Sequence, residues 1–143
     1  MRYSKIREVK SPNRGTKQSA GLDFFVPVGF DQKLLPGESA FIPSGIRMDV
    51  PDVTMLQVCN KSGRAKDGFI VGAQIVDSDY QGEMHLNVWN VSKKTLHIVA
   101  GEKIVQMVLV PILLPELNEV PDSELFGSST SRGSGGFGST GLK

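Results

Sequence analysis

Sixteen glycines and eight prolines cut this 143-residue chain into short runs, and that punctuation constrains the fold more than any other feature. Both residue types weaken a helix interior, glycine through backbone entropy and proline through a lost hydrogen bond and a clash. Helical periodicity is weak everywhere between them. What remains are short apolar or alternating runs, the pattern of an all-β sandwich or barrel. The runs 22–28, 40–50, 53–59, 69–76, 83–91 and 103–110 read as strands. In the fifth, Met84, Leu86 and Val88 share one face, while His85, Asn87 and Trp89 share the other. "NKSGRAKDG" (60–68) is polar and reads as a loop with at most one helical turn. The simplest pairing joins 69–76 to 83–91 as a hairpin, with the acids of "DSDYQG" at its tip.

Composition narrows the function. Net charge is +1, so no broad field points to nucleic acid or to an anionic membrane surface. A small anion needs only a few local cations and stays possible. Cys59 is the single cysteine, so no intrachain disulfide forms, which suits a reducing compartment. "MRYSKIREVK" lacks the apolar core of a signal peptide. The most apolar run, "IVQMVLVPILLP", is too short for a bilayer span. A soluble, cytoplasmic protein of one domain is expected.

Several stretches carry candidate chemistry. In "GAQIVDSDYQGE" (72–83), Asp77 and Asp79 end an apolar run, and Tyr80 follows. Asp77 and Tyr80 have opposite strand parity, so only a bent tip brings them to one cleft. Spread strands there would free backbone groups to pair with a nucleobase edge. In "NKSGRA" (60–65), a cation, a hydroxyl and a permissive glycine suit phosphate oxygens, or equally an ordinary solvated turn. Asp23 is a lone acid in the apolar run "AGLDFF", where it faces solvent, pairs with a cation, or meets a metal's water shell. The last 17 residues hold six glycines and five serines, the composition of a flexible tail. Their "GSGGFG" matches a dinucleotide fingerprint in letters only, because too little chain follows to build the helix. Gly-rich backbone can still wrap an anion, with Arg132 as a fork for phosphate, and Phe137 is an unusual aromatic for a linker. With two histidines and one cysteine, a zinc site finds too few ligands, and no G-x-S-x-G elbow supports a serine hydrolase.

Five of these stretches, in order, resemble the motifs of the homotrimeric dUTPases: "AGLDFF" (20–25), "NKSGRA" (60–65), "GAQIVDSDYQGE" (72–83), "GEKIVQMVL" (101–109) and "RGSGGFGSTG" (132–141). The resemblance implies a distorted jelly roll over 1–126 and a C-terminal arm, 127–143, that closes over a neighbouring subunit's active site in a homotrimer. It implies hydrolysis of dUTP to dUMP and pyrophosphate, with Mg²⁺ held mainly by the triphosphate. By the same resemblance, Asp77 activates the attacking water and Tyr80 packs on the deoxyribose. The segment of Gln74, Ile75 and Val76, with His85, reads the uracil edge. Lys61, Ser62, Gly63 and Gln106 contact phosphates, as do Arg132, Gly138, Ser139 and Thr140 of the arm. Phe137 covers the uracil, and Asp23 lies near the magnesium's water shell.

Two positions depart from the family pattern. Lys61 stands where arginine is usual, keeping the charge and losing the planar fork. Gln74 stands where glycine is usual, and its side chain either crowds the base or points away. A dCTP deaminase on the same fold and a non-catalytic β-rich interaction protein are the alternative readings.

Overall fold

The computed structural model describes residues 1–136 and Ser139. The expectations for Phe137, Gly138 and Thr140 lie outside the described residues. The chain divides into two compact units, Met1–Leu113 and Leu114–Lys143.

The first unit is β-rich, as the punctuation predicted. In chain order it comprises β1 (Arg2–Lys5), β2 (Leu22–Phe25), β3 (Asp31–Leu34), β4 (Ser39–Pro43), β5 (Ile46–Asp49) and β6 (Thr54–Asn60). A short helix, α1 (Ser62–Asp67), precedes β7 (Phe69–Val71), β8 (Ile75–Val76), β9 (His85–Asn90), β10 (Leu96–Val99) and β11 (Lys103–Pro111). Four sheets form, in the orders β2-β11-β6-β8, β4-β9-β7, β1-β5 and β10-β3. Every pairing is antiparallel. The core collects one face of these strands, with Phe24, Leu34, Ile42, Ile46, Leu56, Leu86, Ile98, Ile104 and Met107 fully buried. In β9 the predicted alternation holds: Leu86 and Val88 are buried, and Trp89 is exposed on the opposite face.

Two predicted strands are broken, each for a local reason. The run 40–50 turns at Ser44 and Gly45, where Gly45 adopts φ +73° and the Ser44 hydroxyl accepts the Ile46 N–H at 3.1 Å. The run 69–76 also splits. β7 pairs with β9, but β8 leaves that partner and pairs with β6, Ile75 opposite Gln57 and Val76 opposite Leu56. The expected hairpin therefore exists only over 69–71, and the chain crosses from one sheet to another between Val71 and Ile75. β1, β3 and β10 were not legible as strands. β1 is wholly exposed and has no buried face to leave a pattern.

The second unit opens with residues carrying no strand, among them the exposed Leu114 and Leu117. A 3-10 turn at Asp122–Glu124 and tight turns around Thr130–Gly135 follow. Among the described residues, no helix is long and apolar enough to cross a membrane.

Candidate active site

The split between β8 and β9 ends in a braced tip. A turn joins Asp77 to Tyr80, whose N–H donates to the Asp77 carbonyl at 3.3 Å. That turn bends the chain, so that acid and ring belong to one tip and not to a straight strand. The Tyr80 hydroxyl donates to the Glu83 carbonyl at 2.8 Å, which draws the ring over Gly82. Any Cβ at position 82 would overlap the phenol, so the "YQG" spelling is a packing requirement. Glu83 is the brace. It takes Arg7 in a two-point contact (2.7 and 3.1 Å) and the Gly45 N–H at 2.7 Å. Arg7 holds the Glu83 carboxyl below the ordinary carboxylate range, against burial, with help from the Gly45 N–H. Arg47 Nε donates to the Gln81 carbonyl at 2.8 Å. Asp77 and Tyr80 themselves stay exposed. His85 stacks on Phe41 with centroids 4.7 Å apart, and its Nδ1 lies 3.0 Å from the Glu83 carbonyl.

The other predicted residues gather elsewhere, at one end of the β2-β11-β6 sheet. Gln106 stands in register with Asp23 on β2 and Cys59 on β6. Its Nε2 donates to the Asn60 carbonyl at 2.9 Å, just before Lys61, Ser62 and Gly63. Asp23 is buried, and each of its oxygens has a cation. Lys61 holds Oδ1, and Lys103 holds Oδ2 at 2.9 Å. Burial alone would raise the Asp23 pKa, but the hydrogen bonds and charges of Lys61 and Lys103 outweigh it, and the carboxyl sits below its ordinary value. One carboxylate against two ammonium groups leaves a net positive charge at this rim. Arg64 locks the segment in place through Glu102 at 2.8 Å, its guanidinium 4.7 Å above the Phe69 ring.

Lys103, Glu83 and Arg7 were missed in the sequence. Lys103 stood in plain view beside Gln106, but nothing in its spacing separated it from a solvated lysine. Arg7 lies 76 positions from Glu83, beyond any local pattern. Among the described residues no group of three His, Cys, Asp or Glu side chains could hold a metal ion. Asp23 is committed to Lys61 and Lys103, so it offers no free carboxylate for direct coordination of Mg²⁺.

Tip and cluster are apart within one chain. Asp77 follows Val76, which pairs with Leu56, whereas Lys61 follows Asn60 at the other end of β6. Four residues of strand separate those levels, about 13 Å at ~3.3 Å per residue. Gln74 and Ile75 are exposed on the β8 rim, with the Gln74 carbonyl accepting the Val58 N–H at 2.8 Å. In the second unit, Arg132 Nε donates to the Gly135 carbonyl at 3.0 Å, and the Ser139 N–H donates to the Gly136 carbonyl at 3.0 Å.

Comparison with known proteins places the chain among its relatives. The dUTPase family model matches residues 7–141. A deoxyuridine 5'-triphosphate nucleotidohydrolase of Hydrogenovibrio crunogenus is 39% identical over 94% of this chain and 89% of its own length. The enzyme of that name from Escherichia coli is 34% identical over 94% of the chain and 89% of its own length. Among solved structures, a mutant dUTPase of Staphylococcus bacteriophage 80alpha with dUpNHpp superposes with a TM-score of 0.86 at 25% identity, covering 99% of this chain and 98% of that one. Such matches run through the jelly-roll unit and the Gly-rich tail alike, and the chain belongs to the dUTPase family.

Proposed function

We propose that this protein hydrolyses dUTP to dUMP and pyrophosphate, with three copies of the chain building the active sites. The observation that carries the reading is the split between β8 and β9, closed at its tip by the Asp77–Tyr80 turn, in a chain of the dUTPase family. The freed rims of the split supply backbone groups for a uracil edge, and Ile75, Val76 and His85 line them. Tyr80, its hydroxyl already committed to Glu83, offers a ring face to the sugar. Asp77, exposed beside it, accepts the proton of the water that attacks the α-phosphorus.

The phosphates belong to the cationic rim of Lys61, Ser62, Gly63 and Gln106. Asp23 is read here as the anchor of Lys61 and Lys103, in place of the contact to a magnesium water shell. Mg²⁺ then reaches the site on the triphosphate, whose hard oxygens suit it. A mutant dUTPase of phage phi11 of S. aureus coordinates a structural Mg(II) ion, a property of that protein. The arm, with Arg132, Phe137, Gly138, Ser139 and Thr140, closes over a neighbouring subunit's site and excludes water.

The separation of tip from cluster supports a site shared between copies, and the homotrimer is the assembly the family resemblance implies. The test has two parts. Pyrophosphate release from dUTP, dCTP, dTTP and UTP is measured side by side, and ammonia release from dCTP tests for a deaminase. Inactive Asp77→Asn and Lys61→Ala proteins are then mixed, dissociated and reassembled. Recovered activity is expected, because some mixed sites combine an intact Asp77 with an intact Lys61. No recovery would place both groups in one chain's site, and no turnover of dUTP by the parent would remove the reading.

A further inference from the structure

The split in the sheet has an apex, and one side chain occupies it. The last backbone bond that β7's strand makes to β9 is Gly72 N–H to the Asn87 carbonyl, 3.0 Å. Beyond it the two paths part, one to β6 through Gln74 and the other along β4, Pro43 opposite His85. The Ala73 N–H, first across the fork, has no strand partner. It donates to Oδ1 of Asn87 at 3.2 Å. The Nδ2 of the same amide donates to the Ala40 carbonyl on β4, also 3.2 Å. Asn87 thus bridges the departing segment to the sheet it leaves. It sits on the outer face of β9, half-buried, between His85 and Trp89.

The chain comes so close here that glycine is required. A Cβ at position 72 would overlap Asn87 Oδ1 and lie 2.8 Å from Trp89 Nε1. Glycine and asparagine therefore act as a pair, one allowing the approach and the other fixing its depth.

We infer that Asn87 is a positioning residue for base recognition: its side-chain amide, locked to Ala73 and seated against Gly72, sets where the backbone of 73–75 stands against His85, and so the width of the uracil cleft. This rests on the dUTPase reading above. Hydrogen bonds to a base edge have narrow tolerance in distance and angle. A rim left free to shift weakens pairing with uracil and relaxes the exclusion of a 5-methyl group. Asn87 touches neither the phosphates nor Asp77, so the chemical step itself should survive its loss.

The probes are dUMP and dTMP, titrated by calorimetry, together with KM and kcat for dUTP. In Asn87→Ala, dUMP should bind about 5–10-fold more weakly, the loss of a hydrogen bond that holds a rim in place. KM for dUTP should rise by a similar factor with kcat within about threefold, and the dUMP/dTMP affinity ratio should fall. Asn87→Asp keeps the acceptor for the Ala73 N–H but sets a second acceptor against the Ala40 carbonyl, so it should recover only part of the dUMP affinity. Gly72→Ala should resemble Asn87→Ala, and the double variant should lose less than the product of the two, because removing the amide makes room for the methyl group. Unchanged dUMP affinity and an unchanged dUMP/dTMP ratio in a folded Asn87→Ala protein overturn the inference. If Asn87→Ala does not fold, Asn87→Asp and Gly72→Ala carry the test, and parental dUMP/dTMP selectivity in Gly72→Ala overturns it. A parent that itself fails to prefer dUMP over dTMP overturns the dUTPase reading instead.

Discussion

The tip at 77–83 and the cation cluster at Asp23 are built in opposite ways. The tip is sequence-local: its two candidate side chains, Asp77 and Tyr80, are three residues apart, exposed, and closed into a turn by one backbone bond. Among the described residues, its distant hydrogen-bond partners are Arg7, Gly45 and Arg47, which hold it from outside. The cluster is the reverse. Asp23 is buried, and its partners arrive from β11 and from the end of β6, 38 positions from Lys61. A local exposed turn can lose a catalytic atom without loss of fold. A buried carboxylate bridging distant segments loses stability with its charge, because its removal leaves two ammonium groups unpaired.

The sharpest break in that comparison is chemical. Asp77→Asn should keep its thermal midpoint and lower kcat by roughly 10²–10⁴-fold, the usual contribution of a general base. Pyrophosphate release beside a melting curve measures both, and turnover within a few-fold of the parent removes Asp77 from its role. Asp23→Ala should do the converse. It should destabilise the protein by about 1–3 kcal/mol, below the full cost of breaking a buried pair because both lysines reach solvent. The urea midpoint reports this, and KM for dUTP should rise as Lys61 loses its anchor.

Acid titration sharpens the same contrast. Asp23 and Glu83 both have folded-state pKa values below their ordinary ones. Their unfolded values lie near 3.9 and 4.3. Each therefore adds stability that is fully present above those values and is lost as pH falls through the lower folded-state value. Denaturant midpoints should be level near pH 6 and fall below about pH 4. Asp23→Asn and Glu83→Gln should each flatten that fall, and an acid limb as steep as the parent's in both variants would sink the assignment.

The smallest effect is expected at a position outside both regions. Val53 carries φ +57° in the turn before β6, a left-handed conformation that β-branched residues rarely adopt. Val53→Asn should raise stability by roughly 0.5–1 kcal/mol, since asparagine tolerates that region at less cost. A melting curve measures it, and a drop would mean that packing of the valine side chain outweighs the strain.

The sequence by itself determined the all-β class, the polarity of β9's two faces, the polar stretch that became α1, and the family. All of these follow from local periods, punctuation and motif spelling, which require no knowledge of distant neighbours. It also placed Asp77 and Tyr80 together, because a turn is a local object. Tertiary structure alone decided that the 69–76 run leaves its partner after Gly72 and joins β6, since a strand's choice between two partners depends on sheets assembled from remote segments. It alone decided that Asp23 pairs with Lys61 and Lys103, that Arg7 braces Glu83, and that Asn87 seals the apex of the fork. A lone buried acid in a sequence says only that something must balance it, and the partner is fixed by which strands the core brings side by side.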